Sequence, residues 1–217
     1  MKKAFAFLFI ISHVVVTGQN KSQFDSYISN FKSIQTGIPT RSDFSLGSSK
    51  ALTQDFVEQF VTSTPDCECL NEGLWYRYMF TIEKGDFIIA FVAKSCDIPS
   101  PSGSYPYTDY ILIVYSPKGE VIDSEIVSRE GDLWECNHRG TVEPFVLTVE
   151  QANVPEKVFE NNKRYPFPCE ISTCEYRVSK EGRIQQTVIS ERKGTIVWDK
   201  KNNRSSIVKN IDEKEAL

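Results

Sequence analysis

From residue 74 onward, apolar and polar positions alternate in short runs that are broken by glycine. WYRYMFTI (75–82) and FIIAFVAK (87–94) flank Lys84-Gly85, and DYILIVYS (109–116) and EVIDSEIV (120–127) flank Pro117-Lys118-Gly119. TVEPFVLTVE (141–150) follows His138-Arg139-Gly140. EYRVS (175–179) and RIQQTVISE (183–191) flank Lys180-Glu181-Gly182, and TIVWD (195–199) and SSIVK (205–209) flank 201–204. Period-two runs rich in β-branched and aromatic residues, joined at Gly, read as hairpins. About nine to eleven strands in a meander predict a mainly β fold: a sandwich, an open barrel or a strongly curved sheet. Phe87–Ala93 and Tyr110–Tyr115 are nearly continuous apolar runs. Such runs belong to central strands covered on both faces.

Before residue 74 the period changes. Phe24, Ile28, Phe31 and Ile34 recur at helical spacing within 22–34. Leu52, Phe56 and Phe60 do so within a segment that Ser48 or Ser49 can cap and that runs to Val61. Two short N-terminal helices are therefore expected, packed on one side of the central strands.

The first residues follow a different logic. Lys2 and Lys3 precede an apolar run from Ala4 to Val16, and Val16 and Gly18 sit at −3 and −1 of a small-residue cleavage site. As a helix the run spans about 20 Å, short of a bilayer core. This is the pattern of a secretory signal peptide over 1–18. A single domain over 19–209 and a charged C-terminal tail over 210–217 complete the expected layout. Export to the periplasm or beyond follows, with no membrane insertion after signal removal.

Export changes the reading of the six cysteines, Cys67, Cys69, Cys96, Cys136, Cys169 and Cys174. An even count in an oxidising compartment reads as disulfides. The first hairpin brings Cys96 back beside Gly73, so its expected partner is Cys67 or Cys69. Cys169 and Cys174 can pair only if Glu170–Thr173 form a turn, since an extended path holds them about 17 Å apart. Cys67-Glu68-Cys69 is C-x-C with no second pair, and His138 is the one histidine after the signal. Neither a metal nor another cofactor is expected.

The formal net charge of −4 offers no basic footprint for nucleic acid or an anionic membrane. The nucleophile elbow, the phosphate-binding loop, the dinucleotide fingerprint and the H-E-x-x-H helix are all missing. Ser29–Lys32 and Ser190–Lys193 match S-x-x-K without the companion motifs of acyl transfer. Cys136 and His138 would share a face on a strand, as a Cys–His dyad needs, but a turn over Asn137–Gly140 is the plainer reading. Asp109, Asp123, Glu125 and Glu143 are carboxylates that strand pairing can bring together, but outward-facing polar positions are the plainer reading. An enzyme is not expected.

One segment has the composition of a recognition loop. Ile98–Tyr110 (IPSPSGSYPYTDY) sets Tyr105, Tyr107 and Tyr110 among Ser, Gly and Pro. Tyrosine presents large amphipathic area at low entropy cost, so these three are the expected binding residues. Trp75 and Trp134 are the candidate sugar-stacking platforms.

With its signal peptide, N-terminal helical segment and successive Gly-turned hairpins over 74–198, the chain resembles a loose group of exported β-meander proteins of Gram-negative bacteria. The resemblance carries no catalytic residues. It implies a role such as that of periplasmic immunity proteins against antibacterial toxins. The expected function is thus a non-enzymatic protein-binding module, such as an immunity protein or inhibitor that occludes a partner protein. A carbohydrate- or envelope-binding module is the alternative.

Overall fold

A computed structural model describes residues 21–34, 49–61, 74–100, 103–131, 134–141, 144–155, 157–158, 165–199 and 204–209. The protein is mainly β, with two five-stranded sheets. Helical residues 21–28 (α1) and Gln54–Phe60 (α2) precede the meander, with a two-residue strand, β1 (Lys32–Ser33), between them. The first sheet continues with β2 (Trp75–Lys84), β3 (Phe87–Ser100), β4 (Gly103–Tyr115) and β5 (Val121–Glu130). The second contains β6 (Trp134–Thr141), β7 (Val146–Asn153), β8 (Phe167–Val178), β9 (Ile184–Asp199) and β10 (Arg204–Lys209). Residues 157–158 are also helical, so helix is not confined to the N-terminal part.

Strand order follows chain order in both sheets, and every ladder except the parallel β1–β2 pair is antiparallel. The chain passes from the first sheet to the second once, after Glu130. The edge strands β6 and β10 of the second sheet approach each other, yet no ladder joins them. This sheet is therefore curved without closing into a barrel.

The two apolar runs are the central strands β3 and β4, and both their faces are covered. On one face Ala90, Val92, Ile111, Ile113 and Tyr115 meet Phe24, Tyr27, Phe31, Phe60 and Val61 of the helical segment. On the other, Ile89, Phe91, Ala93, Leu112 and Val114 meet Phe145, Leu147, Val149 and Tyr176 of the second sheet. A third apolar cluster, with Ala152, Phe167, Ile171 and Ile196, lies on the opposite face of the second sheet.

Several expectations are corrected. The first helix stops near Ile28, and Lys32–Ser33 becomes a strand against Phe80–Thr81. Thr53, not Ser48 or Ser49, precedes the second helix, and it makes no side-chain cap. Residues 50–52 instead run beside β2, where Leu52 N–H donates to Tyr76 and Tyr78 N–H to Lys50. In the first hairpin the turn lies at Gly85-Asp86, so Lys84 pairs with Phe87, and a bulge between Tyr78 and Phe80 then sets Trp75 opposite Ser95. The turn Gly85-Asp86 has Gly85 at φ 57°, the positive φ that a primed two-residue hairpin requires.

The supposed recognition loop is two strands. Ile98 pairs with Tyr105 and Ser100 with Gly103, so β3 and β4 form one long hairpin. His138-Arg139-Gly140 is strand as well, with His138 opposite Val149. Gly140 serves close approach rather than a turn, since a Cβ there would stand 2.7 Å from the Val146 carbonyl oxygen.

Candidate functional site: a groove beside the open edge of β9

The two SxxGx turns, Ser116–Glu120 and Ser179–Arg183, have the same internal bonding. Each Ser exchanges backbone bonds across the loop, and its hydroxyl accepts from two loop N–H groups. They also meet. Arg183 Nη1 donates to the Ile122 carbonyl at 2.7 Å, and Ile184 N–H donates to Asp123 Oδ2 at 2.9 Å. This latch fixes β5 over the start of β9.

From the latch a groove runs between β5 and the second sheet. Its first part, about 320 Å³, is walled by Glu125–Arg129 of β5. Its floor is Val149 and Gln151 of β7, Ser172, Cys174 and Tyr176 of β8, and Gln186 of β9. Alternation explains the set: 172, 174 and 176 share a face of β8. Beyond the reach of the first sheet that same face turns polar. There a larger cavity of about 660 Å³ continues past Gln151 and Ser172 to Asn153, Glu170, Glu191 and Lys193.

Side-chain amides organise the groove. Gln151 Nε2 donates to the Arg129 carbonyl at 2.7 Å, and Arg129 N–H donates to Gln151 Oε1 at 3.0 Å. One amide thus satisfies both backbone groups of Arg129, as a neighbouring strand would. Gln186 Nε2 donates to the Tyr176 hydroxyl at 3.3 Å and approaches Cys174 Sγ at 3.6 Å. Burial, and then Asp123 nearby, raise the pKa of Glu125. Burial raises that of Tyr176 too, aided by Cys174 and Glu125.

The open feature is the edge of β9. β10 pairs only with Gly194–Asp199, so among the described residues Gln185–Lys193 has a strand partner on one side alone. A bulge opposite Thr173/Cys174 interrupts this stretch. Val188 and Ile189, adjacent there, are 55% and 54% exposed. The β2 side of the first sheet is covered by β1 and residues 50–52, whereas among the described residues β5, β6 and β10 each have one partner strand.

The expected binding tyrosines lie elsewhere. Tyr107 and Tyr110 are 7% and 2% exposed, so they are core residues and not a docking surface. The side chain of Tyr105 lies outside the described residues. Tyr110 donates to Glu130 Oε2 at 2.7 Å and stands edge-on to His138. His138 Nε2 bonds Ser128 Oγ at 2.6 Å. Ser128 is largely buried within β5 while lining the groove, and the pair ties the two sheets together. The Cys136 side chain lies outside the described residues, as does Glu143.

Asp109 is fully buried, with Arg129 Nε 3.2 Å from its Oδ1. Burial raises its pKa, while Arg129, the Tyr107 hydroxyl and Lys94 pull it down. It alternates with Tyr110 along β4 and so faces away from the groove. No pair of acids forms across a cleft from Asp109, Asp123 and Glu125, since Asp123 and Glu125 are both on β5. Ser29 Oγ donates to the Ser26 carbonyl, away from any catalytic partner.

Cys169 and Cys174 are free thiols, which corrects their candidacy as a disulfide. Both belong to the continuous strand β8, and the turn that pairing requires is absent. Cys96 is buried and disulfide-bonded, and its partner lies outside the described residues, as Cys67 and Cys69 do. Among the described residues no group of His, Cys, Asp or Glu is placed to hold a metal ion.

Trp75 is half-buried, and the Trp134 side chain lies outside the described residues. Among the described side chains the exposed indole is Trp198, at 43%, with the Tyr165 ring 5.6 Å away. A β-branched pair on a strand that reads as internal, and a Trp at a strand end, gave no sequence signal of exposure. Comparison of the chain with models of protein families, with curated proteins and with solved structures returns no match.

Proposed function

We propose that this chain is an exported, non-enzymatic protein-binding module that occludes a partner protein, in the manner of an immunity protein or inhibitor. The fold on which it acts is read as a sandwich, because one apolar cluster joins the two sheets. The observation that carries the function is the edge of β9. Among the described residues Gln185–Lys193 has a strand partner on one side alone, with Val188 and Ile189 exposed beside a polar groove. An open edge is a template for strand addition: main-chain bonds supply affinity, and alternate side chains supply selectivity.

The test is a pull-down with oxidised mature protein at physiological salt. One protein retained at near one-to-one stoichiometry, and lost from the Val188→Lys/Ile189→Lys variant, is the expected result. Both side chains are more than half exposed, so the variant keeps its core. Retention that ignores these substitutions sinks this use of the edge, and an empty pull-down sinks the protein-binding reading.

A second reading, glycan or envelope binding, is favoured by Trp198 and Tyr165. Exposed aromatic faces at a sheet end are the surface on which sugar rings stack. Indole fluorescence that shifts with added glycan in the parent but not in Trp198→Ala would support it.

A further inference from the structure

The open stretch of β9 is bounded at both ends. Ile184 N–H is taken by Asp123 of the latch, and Gly194 is paired with Lys209 of β10. Between them the direction of each backbone group follows from the ladder. The Ile184 bond points away from β8, so alternation turns the backbone of Gln186 and Val188 outward too. Across the bulge, Val188 pairs with Cys174 and Ser190 with the adjacent Thr173. Adjacent residues of β8 face opposite ways, so Ser190 turns toward β8, and Glu191 and Lys193 turn outward.

The outward groups are therefore arranged symmetrically about the bulge, with Gln186 and Val188 before it and Glu191 and Lys193 after it. Their side chains share one face of the sheet. Gln186, Glu191 and Lys193 line the groove and its larger extension, and Val188 lies opposite the groove residue Cys174. Consider a two-fold axis normal to the sheet that passes between Ile189 and Ser190. It sets Val188 opposite Glu191 of a second copy, and Gln186 opposite Lys193 of that copy. Outward groups then meet outward groups, and the two bulges face each other at the axis. No like charges are opposed, an amide meets an ammonium, and the exposed Val188 and Ile189 of both copies lie closest to the axis.

We propose that Gln186–Lys193 of two copies of this chain pair antiparallel in this register and form a two-fold homodimer. Isologous pairing uses the same stretch on both copies, so it closes at two. The paired length is about 26 Å. One strand pair of that length falls below the roughly 1,200 Å² of a standard interface, so association is weak and reversible. The pairing rests on the reading of this edge as a strand template, and a partner protein that adds a strand here displaces the second copy.

Sedimentation equilibrium of the oxidised mature chain, alone at physiological salt and from about 1 to 500 μM, tests the pairing. A monomer–dimer equilibrium is expected. The register is tested by two substitutions at one site, where the parent side chain is 55% exposed and the core is untouched. Val188→Glu sets a carboxylate opposite Glu191 twice in each dimer, whereas Val188→Lys sets an ammonium there. The dimer of the glutamate variant is expected to dissociate at least about tenfold more readily than that of the lysine variant.

A parent chain that stays monomeric over the whole range overturns the proposal. So does a dimer that both substitutions affect equally, because this register must tell the two charges apart. A monomeric chain that still retains one protein in the pull-down removes the pairing and leaves the protein-binding reading standing. A charge-sensitive dimer with an empty pull-down does the reverse.

Discussion

The hydroxyls of Tyr27 and Tyr115 meet at 3.0 Å inside the core, and Tyr115 in turn donates to the Phe60 carbonyl at 2.8 Å. The chain of donors is fixed by this: the Tyr115 proton goes to Phe60, so Tyr27 must donate to Tyr115. Three elements, α1, α2 and β4, are joined at one point. Around it the Tyr27 ring stacks on Phe60 at 4.7 Å and meets Tyr78 and Phe31.

Tyr115→Phe leaves a buried carbonyl without a donor and should cost about 1–3 kcal/mol, whereas Tyr27→Phe leaves the Phe60 bond intact and should cost about 0.5–1.5 kcal/mol. Urea unfolding of the two variants checks the order. A larger loss for Tyr27→Phe would contradict the donor direction.

Alkaline pH should destabilise the fold. Burial pushes the Cys169 thiol from 9.0 up to about 11 and the Tyr78 phenol from 10.0 up to about 12. Tyr27 and Tyr115 are raised further in the same direction, again by burial. A raised native pKa means that the folded chain holds its protons where the unfolded chain has released them. These groups contribute fully below about pH 9, and their contribution falls as pH rises through 9 to 12. The urea midpoint should drop between pH 8.5 and 11, and a flat profile would refute the assignment.

The free thiols should differ in reactivity. Cys174 lines the groove and is half-buried, while Cys169 is 4% exposed and keeps its proton. Only thiolate reacts, so alkylation of native protein at pH 7.5 should mark the Cys174 peptide at least about tenfold faster. Similar rates by peptide mass spectrometry would show that β8 opens readily. The same digest, run without reductant, identifies the partner of Cys96, for which Cys67 or Cys69 is expected.

Much of this architecture was legible because it obeys local rules. Alternation and turn glycines located the hairpins, and the unbroken runs of β3 and β4 announced strands covered on both sides. The misreadings came from composition that tertiary pairing overrode. Pro99, Pro106 and the serines of 98–110 signal a loop, yet the register of β3 with β4 holds them in strand. Gly140 signals a turn, yet it is there to let the Val146 backbone approach. The site was hidden for a related reason. Whether Val188 and Ile189 are covered depends on how far β10 runs along β9, which the pattern of β9 does not contain.

The single passage of the chain between sheets bears on how the molecule reaches this state. With that one crossing, each sheet can grow by adding the next hairpin, so loop-closure entropy is met in small instalments. The crossing itself, with the latch of Arg183 and Asp123, joins residues 61 positions apart. Docking of the two preformed halves is then the late step, and the face shared by Phe91 and Leu147 is what the chain exposes until it occurs.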